Sequence, residues 1–158
     1  MEIRKANKTD LPQINFLNEG EIPHVTSINN EDWLHFLEIA SNFVVIDYQE
    51  EVIGFMVSLR EGQDYKSINY NFFVNHFDEF EYVDRIVISK KYQNLGLGRK
   101  LYEYLFENNN TPITCCEVNV KPANENSLQF HTRLGFLEKS KMITAGGDKI
   151  VSLLVRKS

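Results

Sequence analysis

The chain has 158 residues, 42% of them hydrophobic, and carries a formal net charge of −5. That length suits one domain over residues 1–158 with a single buried core, and an acidic chain without a basic stripe is excluded as a general nucleic-acid binder. No apolar run approaches the ~20 residues of a membrane span, and the opening Met1-Glu2-Ile3-Arg4-Lys5 lacks a signal-peptide core, so a soluble, cytoplasmic monomer or homodimer is expected.

Residues 3–6 read as a short strand. Thr9 is placed to cap a helix with Leu11, Ile14, Phe16 and Leu17 on its apolar side. Pro12 falls in the first turn, where a missing N–H costs nothing, and Gly20 suits a left-handed stop. Asn30 is placed to cap a second helix, whose Trp33, Phe36, Leu37 and Ala40 recur at i, i+3, i+4, i+7. Residues 43–48 and 52–60 are β-branched and aromatic runs around Gln49-Glu50-Glu51, which predicts an antiparallel hairpin.

Residues 62–71 are polar without a clear period, the pattern of a binding loop. Phe72, Phe73, Phe77 and Phe80 then predict a short helix or an aromatic lid. Residues 82–88, 96–108 and 113–120 read as strand, helix and strand, a βαβ unit. Residues 124–134 predict a helix stopped by Gly135, with Leu128, Phe130, His131 and Leu134 among its less exposed positions. Residues 136–144 and 149–156 close the chain as strands around Ala145-Gly146-Gly147-Asp148.

Cys115 and Cys116 are neighbours in a strand, so their side chains face opposite sides and do not form a disulfide. Neither has Cys or His at metal-ligand spacing; buried packing is the expectation, and no metal is called for.

The segment most directly tied to chemistry runs from Asp84 to Lys100: a strand, a polar loop, and a helix opening on Gly96-Leu97-Gly98. Two glycines at a helix start let backbone N–H groups approach a ligand closely, and the unpaired donors of the first turn favour an anion. Arg99 and Lys100 add positive charge. The dinucleotide fingerprint fails because Leu101 stands where its third glycine belongs, and the P-loop fails for want of Gly-Lys-Ser/Thr. A glycine turn that only permits close packing is the alternative.

Gln93-x-x-Gly96-x-Gly98 resembles the coenzyme A signature of the GNAT acetyltransferase superfamily. A second segment, Asn124-x-x-Ser127-x-x-x-His131-x-x-x-Gly135-Phe136, resembles that superfamily's Asn-x-x-Ala-x-x-x-Tyr-x-x-x-Gly-Phe, with His131 in the place of the tyrosine. Asn18, Pro23-His24-Val25, Asp64-Tyr65, Asn69-Tyr70, residues 82–87 and Cys116-Glu117-Val118-Asn119 are further similar to a branch of predicted acetyltransferases without an assigned substrate. The resemblance implies a single-domain α/β GNAT fold, with a mixed, mostly antiparallel central sheet and helices on both faces. It implies acetyl-CoA as co-substrate, bound through Ile86, Val87, Ile88, Gln93, Asn94, Leu95, Gly96, Leu97, Gly98, Arg99 and Asn124. The family pattern has Arg-Gly where this chain has Gln93-Asn94, so one loop N–H comes from a residue with a Cβ.

Acetyl transfer to an amine needs a base or water relay, because a lysine-type amine, pKa ~10.4, is mostly protonated at neutral pH. It also needs donors for the oxyanion, for which residues 86–88 are placed, and a proton for the thiolate. Glu117 aligns with the base of some peptide-directed members; Asp84 shares a strand face with Ile86 and Ile88 and is a second candidate base; His131 is the candidate proton donor or relay. Packing or ion pairing is the competing role for each. Tyr65, Tyr70, Tyr82 and His24 are candidates for the acceptor side. The expected activity is direct transfer of acetyl to a primary amine in a ternary complex; the rival is a non-catalytic acyl-CoA sensor or interaction module.

Overall fold

The computed structural model describes the backbone of residues 1–158 and the side chains of all but Ala145. In chain order the elements are β1 (Glu2–Lys5), α1 (Leu11–Glu19), α2 (Asn30–Ile39), β2 (Asn42–Tyr48), β3 (Glu51–Arg60), α3 (Ile68–Val74), β4 (Glu81–Ile88), α4 (Leu97–Glu107), β5 (Ile113–Lys121), α5 (Glu125–Arg133), β6 (Leu137–Thr144) and β7 (Lys149–Lys157). The chain falls into two compact units, one of Met1–Leu59 with Arg85–Asn110 and the other of Arg60–Asp84 with Thr111–Ser158. β4 is divided between them. The fold class is α/β, with seven mostly antiparallel strands.

In the first unit β1 pairs with β2 and β2 with β3, both antiparallel, and the C-terminal half of β4 neighbours β3. The predicted hairpin is present, but Gln49 and Glu50 alone make its turn, at φ 53° and 65°. Both are left-handed, as a two-residue turn matched to strand twist requires, although neither is glycine or asparagine. Trp33 centres the packing, with Phe36, Phe43 and Phe55 rings at 6.1, 6.0 and 5.7 Å.

Several local expectations are corrected here. Asn7, not Thr9, is the first cap: its side chain accepts the Thr9 N–H ahead of a 3-10 turn over Lys8–Asp10, and α1 follows directly. Phe16 is 79% exposed; the buried stripe of α1 is Leu11, Ile14 and Asn18, one helical face at i, i+3, i+7. Gly20 ends α1 at φ −68°, without the left-handed conformation. Asn29 caps α2 one residue before the expected Asn30, accepting the Asp32 N–H at 2.8 Å.

In the second unit β4 pairs parallel with β5 at Glu81↔Thr114 and Tyr82↔Cys115, and β7 lies antiparallel between β5 and β6. The polar loop is shorter than expected, because α3 starts at Ile68 with Ser67 capping the Tyr70 N–H. Phe73 and Phe80 are completely buried, so these aromatics form core and not a lid. Cys115 and Cys116 are both buried, as strand packing predicts.

Candidate active site

In the first unit, the end of β4 leads into a loop closed by backbone bonds: Ser89 N–H donates to Ile53 O and Tyr92 N–H to Ser89 O, each at 2.8 Å. The Gln93 side chain folds back and donates to Ile88 O at 3.2 Å. Asn94 then adopts φ +62° and Gly96 φ +76°. Asparagine is among the few residues with a Cβ that enter the left-handed region readily, so Asn94 keeps a backbone conformation that glycine would otherwise supply. A Cβ built on Gly96 meets nothing within 4 Å, leaving the loop's outer side open.

The N-terminus of α4 differs from those of α2, α3 and α5. Asn29, Ser67 and Asn124 each cap their helix with a side-chain oxygen, whereas α4 begins at Gly96 without such a bond. The N–H groups of Leu97, Gly98 and Arg99 have no acceptor within the helix, by helix geometry. Leu97, Leu101, Tyr102 and Leu105 bury the other side of α4 and fix its start. Arg99 pairs with Glu103 at 2.8 Å, so its charge is shared with that carboxylate; Leu95 is 61% exposed.

In the second unit the structure brings five candidates together: Tyr65, Tyr70, Tyr82, Asp84 and Glu117. Tyr82, fully buried, donates from its hydroxyl to Glu117 Oε1 at 3.0 Å. Tyr65 donates to Asp84 Oδ1. The Tyr70 ring lies edge-on between the two phenols, 5.5 Å from Tyr65 and 5.5 Å from Tyr82. Its hydroxyl donates to Arg60 O at 2.6 Å and accepts the Gln63 N–H at 3.1 Å, pinning the loop that carries Tyr65. Glu61 adds a second pin, accepting the Phe80 N–H at 3.1 Å; Arg60 beside it holds the Glu61 carboxyl down to about 2. Burial, with the Glu117 and Asp84 charges, keeps the Tyr82 phenol far above its ordinary range.

His131 is 3% exposed and lies edge-on to Phe130 and Phe136. Nδ1 is 2.7 Å from the Ser127 carbonyl oxygen, which can only accept, so Nδ1 carries the proton. Burial lowers the ring's pKa to about 4. Asn124 caps α5 through Oδ1 to the Ser127 N–H at 3.3 Å. His24 is exposed and belongs to the first unit, whereas Tyr65, Tyr70 and Tyr82 belong to the second.

Arg85 has a place that sequence reasoning did not assign. It is 7% exposed and donates to Asn18 Oδ1 at 2.9 Å and Thr26 O at 3.0 Å, with its guanidinium over Trp33 and Phe36 at 5.8 and 5.7 Å. The signal was an arginine within an apolar strand, with a buried-face asparagine on α1. No group of three or more metal-ligating side chains occurs among the described residues.

A glycine-opened helix following a strand in the first unit and a tyrosine–carboxylate cluster in the second characterise this α/β protein. The family model described as Acetyltransferase (GNAT) family matches residues 8–136, and the chain belongs to that family. Among solved structures, it is similar to Naa20 from Chaetomium thermophilum in complex with a bisubstrate analogue, at 15% identity and TM-score 0.81, covering 99% of this chain and 86% of that one. Ribosomal-protein-alanine N-acetyltransferase from Brucella melitensis is 16% identical with TM-score 0.76, and both chains are covered over 100%. The putative acetyltransferase yncA from Salmonella typhimurium, solved with acetyl-CoA, is 17% identical with TM-score 0.73, over 99% of this chain and 93% of that one. A comparison with curated proteins gives no match.

Proposed function

We propose that the chain acts as a single acetyltransferase domain over residues 1–158, moving acetyl from acetyl-CoA to a primary amine by direct attack in a ternary complex. The observation that carries this reading is the uncapped start of α4: three helix donors behind a left-handed Asn94 and an open Gly96 fit the diphosphate of coenzyme A. Gln93, Asn94, Leu95, Gly96, Leu97, Gly98 and Arg99 would hold that diphosphate, and Ile86, Val87 and Ile88 the acyl-pantetheine arm through main-chain groups. Asn124 is assigned to the coenzyme by the resemblance alone. Acetyl-CoA supplies the activated acyl group; the protein orients it, accepts the amine proton at Glu117, and offers backbone donors to the developing oxyanion, each worth roughly 3 kcal/mol.

The neutral, buried His131 does not suit the role of proton donor, and a coenzyme thiolate with a parent pKa near ~8.5 leaves with modest assistance from water. The reaction has no step for a metal. We place the protein in the cytoplasm, as a monomer or homodimer, acting on a small-molecule or peptide amine that Tyr65, Tyr70 and Tyr82 would contact. No helix among the described residues is long and apolar enough to cross a membrane.

The departures from the family pattern at Asn94 and His131 are what favour a non-catalytic acyl-CoA sensor. Thiol release from acetyl-CoA across a panel of primary amines separates the two: amine-dependent release supports transfer, and tight binding of acetyl-CoA without release across the panel supports the sensor. Gly98→Glu, by bulk and charge in the first turn of α4, is expected to abolish acetyl-CoA binding, and unchanged affinity would remove the cradle.

A further inference from the structure

Two carboxylates, Glu117 and Asp84, compete for the role of base, and each is held by a different tyrosine. We infer that Tyr82 is the positioning residue of Glu117, the base of the proposed reaction, and that Tyr65, held by Tyr70, positions Asp84 in the same way. The choice of base rests on the acetyl-transfer reading; the tyrosine assignments do not.

The geometry of parallel strands explains the first dyad. Tyr82 is in register with Cys115, and Glu117 stands two residues further along β5 on the same face. The Tyr82 ring therefore reaches along the strand to Glu117, and it is fixed there by Tyr70 at 5.5 Å and Phe73 at 5.8 Å. A phenol buried against two carboxylates does not ionise in the physiological range, so it is a donor at every working pH. A donor bond to a carboxylate favours the anion and fixes its rotation.

The second dyad is held from the loop before α3. Tyr65 stands between the Gln63 N–H, which Tyr70 accepts, and the Ser67 cap, and its ring packs on Tyr70. Tyr70 therefore braces both phenols, and loss of its hydroxyl would loosen Tyr65 first. The titratable groups coupled to Glu117 are Tyr82 from β4 and Cys115 on β5 itself, and Asp84 and Tyr65 act in turn on Tyr82. His131 belongs to α5, which packs on β5, and is neutral above about pH 4. Across β5, the register partner of Glu117 on β7 is the uncharged Leu153.

The test is a titration of side-chain carboxyls by carbon-13 NMR in the full chain, with Tyr82→Phe and Tyr65→Phe compared with the parent. Tyr82→Phe is expected to raise the Glu117 midpoint by about one pH unit, and Tyr65→Phe to leave it in place. An unmoved Glu117 midpoint in Tyr82→Phe, or an equal shift of it in Tyr65→Phe, overturns the assignment. Turnover gives the second arm, with the panel amine giving the fastest thiol release. Tyr82→Phe should lower kcat about ten-fold with unchanged KM for acetyl-CoA, and add nothing in the Glu117→Gln background. Additive losses, or a larger loss in Asp84→Asn than in Glu117→Gln, overturn it. If no amine releases thiol, the acetyl-transfer reading fails and the titration still decides the tyrosine roles.

Discussion

His131 Nδ1 lies 2.7 Å from the carbonyl oxygen of Ser127, one turn earlier in α5; this bond places a proton on Nδ1, while burial keeps the ring neutral. A residue that sequence comparison places at the proton-donor position is thus tied into the helix that carries it. The consequence is first one of stability.

Burial lowers His131 from 6.5 to about 4 in the fold, so between those values the unfolded chain binds the extra proton. Stability contributed by keeping the ring neutral is present above about pH 6.5 and is lost as pH falls toward about 4. The full effect is about 3 kcal/mol. Urea denaturation at pH 7 and at pH 4.5 should show the parent losing more stability than His131→Phe over that interval; parallel losses would contradict it.

Asn94 and Gly96 predict a graded response to backbone substitution. A Cβ on Gly96 meets no atom within 4 Å, so the cost of Gly96→Ala is conformational, about 1 kcal/mol, without a clash. Asn94→Gly should preserve acetyl-CoA affinity. Asn94→Val, with a β-branched side chain at φ +62°, should weaken that affinity several-fold by calorimetry.

Gly54 sits against Val87 and Ile88 of β4, the segment proposed to hold the acyl-pantetheine arm. A Cβ there would lie 2.7 Å from Ile88 Cδ1 and 3.1 Å from Val87 O. The Ile88 methyl can rotate away, but the Val87 carbonyl is backbone and must move with its strand. Gly54→Ala should cost about 1 to 3 kcal/mol in thermal or urea unfolding and raise the KM for acetyl-CoA. Unchanged KM would show that residues 86–88 tolerate the shift.

Arg85→Met removes donors to Asn18 and Thr26 and leaves the fully buried Asn18 side chain without its guanidinium partner. Destabilisation of about 3 kcal/mol is expected, measured as a lower urea midpoint with unchanged slope. Arg85→Lys should recover only part of it, since one ammonium cannot reproduce the planar fork over Trp33 and Phe36.

Most strands and the helices α2, α4 and α5 were legible because their periodicity is set by one buried face. The errors lie where a side chain does something other than pack. Asn18 occupies a core position of α1 because Arg85 needs an acceptor there, so a purely apolar reading assigned that face to the exposed Phe16. Asn7 preceded Thr9 as a cap because a 3-10 turn precedes the helix, and single-residue signals do not separate the two. The glycine loop was legible from its spacing, including the cost of Asn94, which the backbone absorbs at φ +62°. The tyrosine–carboxylate pairing was not, since it joins a loop, two strands and a helix through side-chain reach.

The two cysteines of β5 bear on how the protein can be assayed. Both thiols are buried, and burial pushes the Cys115 thiol well above its ordinary range, which suppresses the reactive thiolate. A chromogenic disulfide reagent added to the folded protein therefore reads coenzyme released during turnover with little colour from the polypeptide. A late rise in signal on warming would instead report unfolding, giving one reagent for both catalysis and structural integrity.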